Sequence, residues 1–307
     1  MNELVLHGII PAPFLPMTAT FQVDWTSLRS YIGWIAAQKP TAIAMNMDAS
    51  EGPSLERDEQ LEIVRVCRET IDGACPLVSG LIAGSTADAV AWGTQLAAAG
   101  AQALTLFPPL PAFLGTPVPS EMTYRYHQAV AEGVGLPIIG FQLPIGFGPD
   151  FSRETMARVA TIPGFLGIKE ASFDTTKTIE SIEAARATGR RIGVVTGSDS
   201  FILEAMIMGC HGALIGFAGT ATAELIRMHD AVVKRDLDTA FTIWERLGPL
   251  ARFCWRAPLR DYRPRMKEVL VMQGLIRHAA TRPPQLGIDD AERAELRQLA
   301  TGAGLIG

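Results

Sequence analysis

Lysine is scarce in this chain: 307 residues contain five, Lys39, Lys169, Lys177, Lys234 and Lys267. Other absences narrow the field. The net charge is −5 and no long basic run appears, which removes the electrostatic footprint a nucleic-acid binder needs. Cys67, Cys75, Cys210 and Cys254 show no CxxC spacing and mostly occupy apolar or helix-like segments. They read as reduced core thiols of a cytoplasmic protein. His7, His127, His229 and His278 are scattered without metal-ligand spacing, and His211 reads as a core histidine at a helix-to-strand turn, so no metal is expected. No apolar run is long enough to span a membrane. Met1-Asn2-Glu3-Leu4 has none of the basic start and apolar run of a secretory leader. Gly8 to Pro16, the first strand-like stretch and its turn, lacks the glycine-rich pattern of a nucleotide-binding crossover.

What is present is alternation. Strand-like runs at 8–14, 41–47, 76–82, 103–107, 137–143, 165–169, 191–196 and 213–217 alternate with helix-like segments. Ser85 before Thr86-Ala87-Asp88, with Gly100 closing the segment, gives one of the clearest cap-and-stop pairs. Eight such units predict a (β/α)8 TIM barrel, here at 1–235. After Glu224 no strand signal returns. Helix-like segments near 222–234, 237–254, 263–280 and 289–303 follow, and the last three predict a C-terminal helical extension at 236–307.

In such a barrel the chemistry sits at the carboxyl ends of the strands. Lys169 ends the apolar run Phe165-Leu166-Gly167-Ile168 and is the only lysine that terminates a core strand. Poor solvation there disfavours the ammonium and frees a neutral amine to attack a carbonyl as a Schiff-base nucleophile. The competing expectation is a lysine that reaches out of the mouth and pairs with Glu170 or another acid. Other strand-end candidates are Gly197 and Ser198 as pocket floor, and Gly216 and Phe217 in the last loop. Asp199 reads most simply as a helix N-cap. Phe107, Leu110 and Phe113 are too apolar for a free loop and read as pocket wall or subunit contact.

The pieces Gly167-Ile168-Lys169-Glu170-Ala171-Ser172, Ser50-Glu51-Gly52-Pro53-Ser54-Leu55, Thr196-Gly197-Ser198-Asp199 and Gly209-Cys210-His211-Gly212-Ala213 occur in one order along the chain. As a set they resemble the dihydrodipicolinate synthase / N-acetylneuraminate lyase family of class I aldolases, over nearly the whole length. The resemblance implies a cofactor-free lyase, dimeric or tetrameric, in which Lys169 forms an imine with pyruvate or another 2-oxo acid. The protonated imine is an electron sink at which a bond to C3 is made or broken.

The chain also departs from the family. Asp48 and Ala49 stand where the family has two threonines, the second of which helps bind the substrate carboxylate. Phe141 stands at the family tyrosine that shuttles protons, and Gly146 at the synthase arginine that holds the aldehyde substrate's carboxylate. Pro109 and Leu110 replace the synthase's paired tyrosines. These departures favour a Schiff-base lyase of the aldolase or dehydratase kind. Dihydrodipicolinate synthase proper and a catalytically silent binding barrel are the alternatives.

Asp48 is the pointed substitution. A carboxylate about 4 Å from a substrate carboxylate costs roughly 4 kcal/mol at an effective dielectric near 20. It must therefore be protonated, turn away, pair with a cation, or meet a hydroxyl or amine of the substrate. Two expectations follow: Asp48 takes over acid/base work, or it merely caps the turn with Ser50. The backbone amides of Ala49 and Ser50 are expected to cradle the substrate carboxylate, with help from the Ser50 hydroxyl. Phe141 is expected to pack beside the imine, Glu51 to hold its loop in shape, and Gln142 to point away from the pocket. Arg263, Arg265 and Lys267 read as a solvated helix start, or as a cluster that closes the mouth over an anion.

Overall fold

The computed structural model describes residues 4–113 and 117–307. The reading of Met1 to Glu3 and the middle of the proline-rich loop at 108–119 fall outside those residues. Eight parallel strands form one sheet, β1 (Gly8–Pro11), β2 (Ile43–Met45), β3 (Leu77–Leu81), β4 (Ala103–Leu106), β5 (Ile138–Gln142), β6 (Phe165–Glu170), β7 (Gly193–Thr196) and β8 (Gly212–Ile215). The sheet runs from β1 through β8 and back down to β2. The remaining seam between β1 and β2 is bridged by the Thr41 N–H, which donates to the Ile9 carbonyl at 2.9 Å. The result is a nearly closed TIM barrel. Strands covered on both faces must be apolar almost throughout, which is why they read as short hydrophobic runs.

Helices α1 (Trp25–Ala36), α2 (Arg57–Ile71), α3 (Thr86–Ala99), α4 (Ser120–Val134), α5 (Arg153–Val159), α6 (Thr175–Ala187), α7 (Ile202–Met208) and α8 (Ala218–Val233) return the chain between and after the strands. Ser85 caps α3 by accepting from the Asp88 N–H, and Gly100 ends it at φ +116°. Three helices follow, α9 (Leu237–Cys254), α10 (Tyr262–Met272) and α11 (Asp290–Gly302). Two helix boundaries differ from expectation. α7 begins at Ile202 rather than Asp199, because the Asp199 carboxylate accepts from the Phe217 N–H instead of capping. α10 stops at Met272, and the chain beyond it runs as loop back to the β2 end of the barrel, where Thr281 is buried and Arg282 is bonded.

That return is anchored by charge. The side chains of Glu51 and Lys267 are 3% and 0% exposed and form an ion pair. The Arg282 N–H donates to the second Glu51 oxygen at 2.7 Å, and the Arg282 guanidinium takes Glu59. Arg265 bonds Glu292 and the carbonyls of Cys254 and Arg256. The expected solvated cluster of Arg263, Arg265 and Lys267 is thus corrected. All three turn inward, since each meets an acid from outside its own helix: Asp48 and Glu51 on the turn after β2, and Glu292 on α11. The four cysteines are free and buried. Among the described residues no helix is long and apolar enough to cross a membrane.

Breaking a buried pair strands its partner's charge, at a cost of about 3–5 kcal/mol. Urea unfolding of Lys267→Met is expected to show a loss of that size. Arg29→Ala, which removes an exposed pair with Glu69, is expected to cost less than about 1 kcal/mol.

Candidate active site

Lys169 is the fifth residue of β6 and is hydrogen-bonded in register between Phe141 of β5 and Val195 of β7. Side chains alternate along a strand, so Lys169 and Glu170 leave on opposite faces. Glu170 turns outward toward α6, where it accepts from the Ser172 N–H at 3.0 Å and the Thr178 hydroxyl at 2.6 Å. It is not the partner of Lys169. Lys169 points into the barrel mouth and is 8% exposed. Gly197 leaves room for its arm: a Cβ there would stand 2.7 Å from the Lys169 Cε.

The mouth holds a cavity of about 450 Å³. Of the residues singled out in the sequence, Asp48, Ala49, Phe141, Lys169, Gly197 and Gly216 line it. The side chains of Ser50 and Phe217 do not, which corrects the expectation that the Ser50 hydroxyl and Phe217 meet substrate. The Ser50 hydroxyl is buried and spent inside its own turn, accepting from the Met47 N–H at 2.8 Å. Phe217 is fully buried, packed edge-on to Trp255. Phe107 and Phe113 form wall, whereas Leu110 stands 60% exposed outside the cavity. Gln142 is buried away from Lys169 and accepts from the Phe151 N–H.

Sequence reasoning gave no pocket role to several lining residues, among them Leu143, Phe173, Asp199, Trp255, Leu259 and Tyr262. Asp199 reads as a cap in the sequence. Trp255, Leu259 and Tyr262 come from the extension, whose helix-like pattern carries no sign of which residues overhang the mouth. The strand-end position of Asp199, two residues after Gly197, was the one available signal.

Asp48 does not cap its turn with Ser50. Its carboxylate accepts from the Tyr262 hydroxyl at 2.6 Å and from Arg263 Nη2 at 2.5 Å, while Arg263 Nε donates to the Asp48 carbonyl at 2.8 Å. Of the four ways to hold a carboxylate here, the chain uses a cation and adds a phenol. Burial, with the Asp48 charge alongside, holds the Tyr262 phenol well above its ordinary range, so the hydroxyl stays protonated. Between Asp48 and Glu51 the turn has an unusual backbone, with Glu51 at φ +58°. Among the described residues no acceptor meets the N–H of Ala49 or Ser50.

Burial pushes the Lys169 ammonium down to about 8, with the Asp199 and Asp48 carboxylates pulling part of the way back. Burial likewise raises the Asp199 carboxyl to about 7, opposed by the Phe217 N–H and by Lys169. The Phe141 ring faces the amine, with Nζ 4.6 Å from its centroid, and meets Phe107 edge-on at 5.0 Å. Such a ring face favours a cation. The site therefore offers an amine neutral in part near pH 8, two free amides, a proton held between Asp48 and Tyr262, and an aromatic face. No cluster of metal-ligating side chains occurs among the described residues.

These shifts have a sign that labelling can read. The reaction of Lys169 with an amine-selective acylating reagent is expected to rise with pH to half-maximum near 8. Asp199→Asn removes an anion that favours the ammonium, so its midpoint is expected to lie lower. A midpoint near 10.5, the ordinary value of a lysine, would count against the burial argument.

The chain resembles known proteins over its whole length. It is 31% identical to the 4-hydroxy-tetrahydrodipicolinate synthase of Azoarcus sp. (strain BH72), over 83% of this chain and 86% of that one. It is 29% identical to the enzyme of the same name from Alcanivorax borkumensis, over 98% and 99%. The dihydrodipicolinate synthase of Acinetobacter baumannii, solved in complex with pyruvate, superposes with a TM-score of 0.87 at 25% identity, covering 98% of this chain and all of that one. By name these relatives stand with the synthase, the reading that the departures at Asp48, Ala49, Phe141 and Gly146 had placed second. The model of the dihydrodipicolinate synthetase family matches residues 5–303, and the chain belongs to that family of class I aldolase-type lyases.

Proposed function

We propose that the chain forms a Schiff base between Lys169 and the ketone of pyruvate or another 2-oxo acid, and makes or breaks a bond at C3. The observation that carries this reading is a buried lysine, its amine partly neutral near pH 8, opening into a cavity at the carboxyl ends of the strands. The amine attacks C2 and water leaves, giving a protonated imine. The free N–H groups of Ala49 and Ser50 take the carboxylate. Phe141, unable to move a proton, faces the new cation. The positive imine makes C3 acidic. In place of the family tyrosine, Asp48 and the Tyr262 hydroxyl bonded to it accept and return the C3 proton. Each step uses groups of this chain, so no cofactor is required. The exposed Leu110 and Ile145 beside the mouth suit the homo-oligomer that the resemblance implies.

A second reading, synthesis of 4-hydroxy-tetrahydrodipicolinate, is favoured by the relatives' names. Against it stands Gly146, which offers no side chain where that enzyme's arginine would hold a second carboxylate.

Borohydride reduction in the presence of a panel of 2-oxo acids should add the mass of the reduced substrate to the wild type and nothing to Lys169→Ala. No adduct with any 2-oxo acid leaves only a binding barrel. Asp48→Asn and Tyr262→Phe should still be trapped, yet turn over about a hundredfold more slowly. Formation of 4-hydroxy-tetrahydrodipicolinate from pyruvate and the synthase's aldehyde substrate, at a rate matching any other aldehyde, would establish the second reading.

A further inference from the structure

The cavity is unevenly furnished. Its polar side chains gather around Lys169: Asp199 on the floor, Asp48 and Tyr262 on one side. The remaining wall is hydrocarbon, from Phe107, Phe113, Leu143, Phe173, Trp255 and Leu259. These come from the ends of β4, β5 and β6 and from the extension, so the apolar surface surrounds the space beyond C3 of an acid bound at Lys169. Trp255 is fixed by stacking on Tyr262, with centroids 5.2 Å apart, and by the edge of Phe14. Among the described residues no cation other than Lys169 lines the cavity. Arg263, next to it, already has two donors on Asp48. A carboxylate or a row of hydroxyls on the second reactant would lose water here and find carbon.

We propose that the second reactant is an apolar aryl aldehyde, so that the site joins a pyruvate-type acid to an aromatic aldehyde or splits the product into them. This rests on the Schiff-base reading above and names its substrate class. Loss of water and of one C3 proton turns pyruvate on Lys169 into an enamine. C3 attacks the aldehyde carbon, and the aldehyde oxygen takes up the proton held by Asp48 and Tyr262. Water then adds to the imine carbon, the C–N bond breaks, and a 4-aryl-4-hydroxy-2-oxobutanoate leaves the regenerated amine. One pyruvate and one aldehyde give one product, with no net redox change, and cleavage is the same sequence reversed. A flat ring matches walls built from rings, which favour stacked and edge-on contacts.

The test compares cleavage of 4-hydroxy-2-oxo-4-phenylbutanoate, followed by the absorbance of benzaldehyde, with cleavage of a polyhydroxylated 4-hydroxy-2-oxo acid. Borohydride trapping of pyruvate is run alongside. The phenyl substrate is expected to have a kcat/KM about a hundredfold higher. Within each of Phe173→Ala and Leu259→Ala that ratio is expected to fall about tenfold. A ratio taken in one variant is insensitive to how much of it folds. Trapping of pyruvate with faster cleavage of the polyhydroxylated acid overturns this proposal and leaves the Schiff-base reading standing. Absence of a pyruvate adduct overturns both. A phenyl preference unchanged in both variants overturns the assignment of this wall.

Discussion

The buried pair of Glu51 and Lys267 is the constraint on which the rest of the site depends. A lysine with no exposed side-chain surface is tolerable only beside an acid, and this acid sits in the turn that follows β2. Closing the pair fixes the extension against the barrel mouth. It places Tyr262 and Arg263, on the same helix one turn before Lys267, over Asp48. It also orders the turn from 48 to 51, whose amides of Ala49 and Ser50 remain free. One electrostatic contact therefore supports the Asp48–Tyr262 hydrogen bond, the turn from 48 to 51 and one side of the apolar wall.

Lys169 obeys the opposite rule. Among the described residues it has no salt-bridge partner at contact distance, and Asp199 and Asp48 act on it only through space. Its amine is thereby left free to react, while Glu170, one residue on, satisfies its own carboxylate outside the barrel. The two lysines show how geometry chooses between a paired cation and an unpaired amine. Lys267 meets an acid directly, and Lys169 meets an aromatic face.

The relatives' names and the residues around Lys169 emphasise different halves of the reaction. The features on which the proposed imine rests lie on the strands: the lysine at the end of β6 and the small residues at the ends of β7 and β8. The wall beyond them, from the loops and the extension, is hydrocarbon. Such a division suits a barrel whose catalytic floor is built on strands and whose specificity is built on loops and on the extension.

The sequence by itself determined the barrel and singled out Lys169. Eight apolar runs with helices between them have few ways to bury both faces of every strand, and a lysine at the carboxyl end of one run stands at the mouth of the barrel. It also determined that Gln142 and Lys169 face apart, since strand alternation is a local rule. Only the tertiary structure decided the partners. Asp48 meets Tyr262 and Arg263 across more than two hundred residues, Asp199 meets the Phe217 amide rather than capping a helix, and Trp255 reaches the cavity from outside the barrel. No local pattern encodes these contacts. They follow from where the extension docks, and that is set by matching buried charges on elements far apart in the chain.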